Sequence, residues 1–451
     1  MNQFQPGCNN AGRSLRTHQP FLIAIAFALA HGILAATVDG KDPELFLRAD
    51  RAGERLNAIV GLLGTQSWLQ LERYLASHGI IGDYAPHAVL YAVAGRLGVV
   101  IVQVALAILS GLCVHRLARV LGLSQRAAAV AMMLYLALPH TLVLPHQLAT
   151  EALHVPLVVI STWSLAEVLL KPRASLLLLS ALCLGAAILI RPIMLLWPLV
   201  TTALLGLILR PRIAGVYAAI ALLPTLTWTS FIWSQTGEFG LGKSGHSMER
   251  NLYSRVDRIA ATLPSSTRSY VQATYLAHPD RELSPATYIR FSLQHPFASL
   301  VHLGRDALNF FGKSGIERVT IDYLALHSDA NSLQDPRHGW RRHLEARGTL
   351  ATVRYLSNTL GVVFIVSIVG AILMAGLLLL TLFGAVHLFR HRRKLTLPQR
   401  LTSTLLVLLI PYVFVFSQVI DAMQSRHRAP AEFAIVLLAT VGASAWRRRS
   451  A

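Results

Sequence analysis

Phe21-Leu-Ile-Ala-Ile-Ala-Phe-Ala-Leu-Ala-His-Gly-Ile-Leu-Ala-Ala-Thr-Val38 runs directly into Asp39-Gly-Lys-Asp-Pro-Glu-Leu-Phe-Leu-Arg-Ala-Asp50-Arg51. A helix rises about 1.5 Å per residue, so roughly twenty apolar residues cross the hydrocarbon of a bilayer, and the first part of this stretch approaches that length. The second part places Asp39, Asp42, Glu44 and Asp50 just where such a helix leaves the lipid. The pairing predicts a first membrane span followed by a loop in water. Two readings of the carboxylates stay open here: a base or charge clamp for chemistry at the membrane surface, or an ordinary solvated loop.

Reading outward, the rest of the chain repeats the apolar half. Of 451 residues, 54% are hydrophobic and 14% charged, and the mean hydropathy is +0.51, which excludes an ordinary soluble domain. The pattern predicts an all-α polytopic membrane protein with about ten transmembrane helices. After residues 21–38 the expected spans are 97–114, 127–138, 152–170, 174–190, 193–209, 213–233, 360–389, 401–420 and 430–446. The chain then divides into a cytoplasmic tail (1–20), an N-terminal module of seven spans (21–233), an outer, periplasmic loop domain (234–354) and a C-terminal module of three spans (355–451). Within the first module, loop 38–82 is the catalytic candidate. Its Glu54–Leu63 and Trp68–Leu75 segments alternate charge and apolar residues at helical spacing, as interfacial helices do. The 234–354 segment is expected to be mostly helical. Residues 1–38 resemble a signal peptide, but the apolar run is read as a retained anchor.

Charge placement predicts orientation. The leading tail, the loops after the second, fourth, sixth and eighth spans, and the closing Arg447-Arg-Arg449 carry Lys and Arg but no Asp or Glu. Acidic residues gather on the opposite side, with Glu167 the exception. The positive-inside rule then makes both termini cytoplasmic in a bacterial inner membrane. The net charge of +19 is therefore a topology signal, not a nucleic-acid footprint. Cys8, Cys113 and Cys183 form no disulfide framework and no metal-ligand spacing.

Four features share the outward face. The first is the acidic loop. The second is Pro139-His-Thr-Leu-Val-Leu-Pro-His146-Gln-Leu-Ala-Thr-Glu151, where two prolines break a span and His140, His146 and Glu151 are expected to line a wet cavity. These ligand types lack compact metal spacing. The third is Arg191-Pro192, a cation between two apolar spans that either meets an anion or snorkels to the interface. The fourth is Ser425-Arg426-His-Arg428-Ala-Pro430-Ala-Glu432, whose Arg426 and Arg428 suit a phosphate clamp or a solvated helix cap. No Gly-rich phosphate loop, Walker sequence, Gly-x-Ser-x-Gly or His-Glu-x-x-His is present, and the cytoplasmic loops are too short to house a nucleotide site.

Taken in order, these motifs resemble the GT-C superfamily of integral-membrane glycosyltransferases, of the protein-mannosyltransferase and aminoarabinose-transferase type. The resemblance rests on the acidic first loop, Ala149-Thr-Glu151-Ala-Leu, Gly185-Ala-Ala-Ile-Leu-Ile-Arg191-Pro192, Gly237-Glu-Phe-Gly-Leu with Asn251-Leu-Tyr, Gln294-His-Pro296-Phe and Ser425-Arg-His-Arg-Ala-Pro430. It implies a GT-C-like bundle that transfers a sugar from a polyprenyl-phosphate donor to a lipid, glycan or protein acceptor. It also implies a loop-one aspartate as general base. The family's base is often followed four residues on by Tyr; here Asp42 has Phe46 and Asp50 has Glu54 at that spacing. Asp50, a dozen residues past the first span, ranks first, then Asp42, then Asp39. Glu151, His146, His140, Arg191, Arg426 and Arg428 are the expected substrate and phosphate contacts. No cofactor is implied, and since the leaving group is already a phosphate, no obligatory metal either. Two other classes compete: a transporter or flippase of lipid-linked glycans, although the Pro139–Glu151 pattern has no second copy, and a non-catalytic subunit of envelope assembly.

Overall fold

The structure is a computed structural model that describes residues 10–36, 46–47, 52–77, 81–237, 244–277, 282–316, 362–420 and 425–450. Among the described residues every regular element is a helix and there is no strand. In chain order the α-helices are α1 (Asn10–Leu34), α2 (Ala52–Leu63), α3 (Trp68–Ser77), α4 (Ala85–Val120), α5 (Gln125–Leu136), α6 (Pro139–Val143), α7 (Glu151–Leu170), α8 (Ala174–Ile190), α9 (Trp197–Gly206) and α10 (Pro211–Thr236). They continue as α11 (Ser244–Ala260), α12 (Ser265–Tyr275), α13 (Pro285–Gln294), α14 (Pro296–Ala307), α15 (Val362–Arg390), α16 (Leu397–Ile420) and α17 (Ala429–Ser450).

A helix occupies each of the ten expected spans. By length and composition six are able to cross a membrane, and the bent pair Gln125–Leu136 with Pro139–His146 makes a seventh. His18–Leu34, Ala174–Ile190 and Pro192–Gly206 are apolar but shorter. Six or seven of the ten expected spans thus reach full crossing length. The chain is a multi-pass membrane protein.

Proline sets the breaks. Pro139 and Pro192 force Leu138 and Arg191 into extended backbone (ψ of 140° and 118°), because the proline ring clashes with a helical conformation of the residue before it. α5 therefore ends, and the chain turns by 63° into α6 and a 3-10 turn, Leu144–His146. α4 carries a break at Ala94–Gly95, close to where the apolar periodicity starts its span.

Burial ranks the helices. The most apolar window of α15 is only 17% buried, with Ile372, Leu373 and Leu379 turned outward as lipid-facing residues are. The windows of α7 and α17 are 78% and 83% buried. These two central helices pack with α4, α5, α8 and α16 around one large apolar core. α15 lies against α17 through Gly384 and Gly442; a Cβ on Gly384 would sit about 3.0 Å from the Gly442 nitrogen and closer still to the Leu438 carbonyl. Small residues let membrane helices approach to backbone contact, where hydrocarbon supplies no hydrophobic drive for association. Thr381 adds a cross-helix hydrogen bond to the Ile435 carbonyl (3.0 Å).

Helices α11 to α14 have a core of their own, with Val256, Val271, Tyr275 and Phe291 fully inside. Arg255 and Asp306 form an ion pair within it, with His302 Nδ1 at 3.4 Å from Asp306. Burial holds the His302 imidazole below its usual range, so near neutrality it stays uncharged beside that pair. The chain leaves α14 through a π-turn, Leu308–Gly312, that delivers Phe310 and Phe311 to the mouth of α17.

Candidate active site

The site is built where two central helices begin. Glu151 is the first residue of α7, and Glu432 lies in the first turn of α17. A carboxylate at a helix N-terminus faces unpaired backbone N–H groups and the positive end of the macrodipole. Burying it still demands a cation, since an unpaired charge at this depth is prohibitively costly.

Each glutamate has one. Arg191 pairs with Glu151 Oε1, and the Thr150 hydroxyl donates to Oε2 (3.2 Å). The extended backbone that Pro192 imposes on Arg191 ends α8 at this point. The arginine thus meets an anion within the protein. Its side chain keeps 18% exposure, so part of the guanidinium is accessible.

Glu432 is held more elaborately. Its Oε1 accepts from His140 Nδ1 (2.8 Å) and from Arg428 Nε (3.2 Å), and Arg428 Nη2 lies 3.1 Å from the same oxygen as an ion-pair contact. Arg428 Nη1 also donates to the carbonyls of Phe310 and, at 3.3 Å, Phe311. Arg428 is wholly buried and is the largest side chain among the described residues to be so. The planar fork of guanidinium donors suits such a three-cornered site, joining the bent α5–α6 helix, α17 and the π-turn after α14. Instead of standing at an open helix mouth, Arg428 is packed inside. Gly315 completes the cover over His140: it has a φ of +81°, and a Cβ there would lie 2.8 Å from His140 Nε2. That nitrogen has no hydrogen-bond partner among the described residues.

His146 faces elsewhere. Its Nε2 lies 2.7 Å from His31 Nδ1 in α1, with the rings stacked at 9° and their centroids 4.9 Å apart. Both are buried, so the first span is fastened to the bent helix by a hydrogen bond between two imidazoles. The loop after α1 is fastened nearby as well. Leu148 N–H donates to the Phe46 carbonyl (2.9 Å), and Arg55 of α2 donates to the Leu148 carbonyl (3.3 Å). Gln103 of α4 donates to the Pro145 (2.7 Å) and Gln147 (3.2 Å) carbonyls and accepts from His87 Nε2 (3.0 Å). Buried backbone freed by proline is thereby satisfied by side chains.

Between these clusters lies a small cavity of about 30 Å³. Its walls are Ala107, Tyr135, His140, Thr141, Leu144, Pro145, Glu151, Ala152, Val155, Pro156, Ala429 and Glu432. Pro156 has no N–H for the Ala152 carbonyl, so this polar atom of α7 is released from the helix beside the cavity.

Of the residues singled out from sequence, His140 and Glu151 line one cavity, and Arg191 and Arg428 stand behind its two carboxylates. His146 is close by but paired with His31. The Arg426 side chain, and Asp39, Asp42 and Asp50 entirely, lie outside the described residues. Sequence reasoning passed over Glu432, although it stands four residues after Arg428 at one-turn spacing. It also passed over His31, although a histidine inside an apolar span is itself a signal.

A polytopic all-helical membrane protein with a buried ionic site at the mouths of its central helices is the class defined so far. Residues 87–233, from the start of α4 to the end of α10, match the family described as dolichyl-phosphate-mannose-protein mannosyltransferase. That family belongs to the GT-C superfamily, and the match supports a GT-C glycosyltransferase, a membrane-bound sugar transferase. The matched segment contains His140, His146, Glu151 and Arg191; loop one and α17 lie outside it. No curated protein matches the chain.

Proposed function

We propose that the protein transfers a sugar from a polyprenyl-phosphate donor to a lipid, glycan or protein acceptor at the outer face of a bacterial inner membrane, with both termini in the cytoplasm. The observation that carries this reading is the family match over α4–α10, which holds the Glu151–Arg191 pair and most of the cavity wall. In the proposed reaction a loop-one aspartate, Asp50 before Asp42 and Asp39, takes the proton of the acceptor hydroxyl or amine. The acceptor atom attacks the anomeric carbon, and the bond from that carbon to the phosphate oxygen breaks. The electron pair leaves with polyprenyl phosphate, whose growing negative charge is met by Arg426 and the accessible part of Arg191. Because the leaving group is already a phosphate, an obligatory metal is not implied. The anchoring of Phe46 on Leu148 supports the placement of loop one beside the cavity, because Phe46 lies four residues from both Asp42 and Asp50.

The test is the series Asp39→Asn, Asp42→Asn and Asp50→Asn, with donor consumption measured on purified full-length protein. Asn keeps the size of the side chain but takes no proton. Asp50→Asn is expected to lower transfer by about 10²–10⁴-fold, the span of general-base loss, and the other two far less. Equal activity in all three variants would remove the loop-one base from the account.

A further inference from the structure

Helices α13 and α14 present a face that neither the ionic site nor the core of α11–α14 uses. We propose that this face docks onto the bilayer: its apolar stripe enters the leaflet on the side of α11–α14, and Arg290 and Arg305 meet the phosphates of anionic phospholipid there. The docking does not depend on the chain being a sugar transferase.

Ile289, Leu293, Phe297, Leu300 and Leu308 are each more than half exposed. On α14, Phe297, Leu300 and Val301 fall within about 100° of the circumference, and Asp306, buried against Arg255, points the opposite way. α13 divides alike, with Ile289 and Leu293 outside and Phe291 wholly inside. The core of α11–α14 is therefore filled without the stripe. Single exposed apolar residues are ordinary, but a continuous row of them calls for a partner.

Depth says which partner. α14 runs into the π-turn Leu308–Gly312, where Phe310 packs on Phe414 with ring centroids 5.2 Å apart. Phe414 lies three residues inside the span Leu397–Ser417. Two residues past the turn, Ser314 packs on Gly370, where an added Cβ would lie 3.0 Å from Ser314 Cβ. Gly370 lies five residues inside the span Ile365–Arg390. At 1.5 Å per residue both contacts place this stretch about 5–8 Å below the ends of the apolar spans. A helix that leaves such a depth with an apolar face uncovered by its own chain meets lipid before it meets water. Charge agrees. Arg290 and Arg305 are exposed beside the stripe, and the one acid of α13 and α14, Asp306, is buried in its ion pair. Long arginine side chains reach headgroup phosphate while the apolar residues insert. A two-fold contact with a second copy would instead bring the same arginines towards each other.

The experiment uses the full chain in nanodiscs, with its native cysteines replaced. A spin label is placed at Phe297→Cys or Leu300→Cys, with Ser266→Cys on α12 as the control. Its collisions are compared between oxygen, which concentrates in hydrocarbon, and a water-soluble nickel chelate, which is excluded from it. The labels at Phe297→Cys and Leu300→Cys are expected to favour oxygen, and the label at Ser266→Cys to favour nickel. A bimane at the same two positions then reports the headgroup, through quenching by brominated phosphatidylglycerol or brominated phosphatidylcholine at equal mole fraction. Phosphatidylglycerol is expected to quench as if about fivefold enriched, the scale of one cation at an anionic lipid surface. Arg290→Gln combined with Arg305→Gln is expected to remove that difference while the melting temperature stays within a few degrees. Two label positions are used so that one misfolded variant does not decide the matter.

Nickel access at both positions equal to that at Ser266→Cys would leave the stripe in water and overturn the docking. Low access to both reagents would mean that protein covers the stripe, a second copy or another chain, and would overturn it equally. Equal quenching by the two lipids, or a phosphatidylglycerol preference that survives the double arginine substitution, would overturn the contact between the arginines and phosphate. These readouts need no turnover. A chain that inserts its stripe but never transfers sugar leaves the docking face standing and removes the transferase reading. Sugar transfer by a chain whose stripe lies in water does the reverse.

Discussion

Arg428 shows at the scale of one residue how far a side chain's role depends on what surrounds it. In the sequence it stands beside Arg426 as half of a phosphate clamp; in the fold it is buried and shared between Glu432 and two backbone carbonyls. Removing one partner of a buried ion pair leaves the other charge uncompensated, at a cost of about 3–5 kcal/mol. Arg428→Ala is therefore expected to lower the melting temperature of the purified protein sharply. Arg428→Lys should recover only part of the loss, because an ammonium cannot reach three acceptors in one plane. Arg426→Ala is the contrasting case. It is expected to keep the melting temperature and to weaken donor use tenfold to a hundredfold, through loss of about 1.5–3 kcal/mol of charge-assisted phosphate contact. An unchanged donor KM in Arg426→Ala would move the phosphate contact to Arg191.

At the scale of elements, the breaks were legible and the pairings were not. Pro139, Pro145 and Pro192 announce their turns locally, because the restriction on the preceding residue is a property of the dipeptide. The helical loop-one segments were legible too, from their periodicity, and α2 and α3 lie where it placed them. Which partner a buried polar group meets is set by packing over long sequence distances. His146 reaches His31 across 115 positions and His140 reaches Glu432 across 292, and neither contact leaves a trace in local spacing. The contact between α15 and α17 is of the same kind. Gly384 and Gly442 lie in unremarkable apolar runs, yet each touches the other helix's backbone. Gly384→Leu and Gly442→Leu are expected to push α15 away and lower folded yield in detergent. Leucine at Gly376, where a Cβ would meet nothing within 4 Å, should be tolerated. Equal yields for all three would dismiss the close crossing.

The whole molecule is a bundle whose two most buried helices each carry a glutamate in their first turn, and whose α11–α14 unit touches the site through the carbonyls of Phe310 and Phe311. The charge distribution predicts an orientation with α11–α14 outside and the Arg392–Lys394 turn inside. With the native cysteines replaced, Ser266→Cys is expected to react with an impermeant maleimide in intact cells, and Thr396→Cys only after permeabilisation. Labelling of Thr396→Cys from outside would invert the topology and take the proposed outward site with it.

The central claim is that lipid phosphate is the leaving group of a sugar transfer performed by this chain. It is tested most directly by supplying the purified protein in nanodiscs with a doubly labelled polyprenyl-phosphate hexose, together with a membrane extract as acceptor source, and counting both products. The account predicts one polyprenyl phosphate released for each sugar incorporated, with both falling together by about 10²–10⁴-fold in Asp50→Asn. Intact donor recovered on the opposite leaflet, with no phosphate released above a protein-free control, would contradict it.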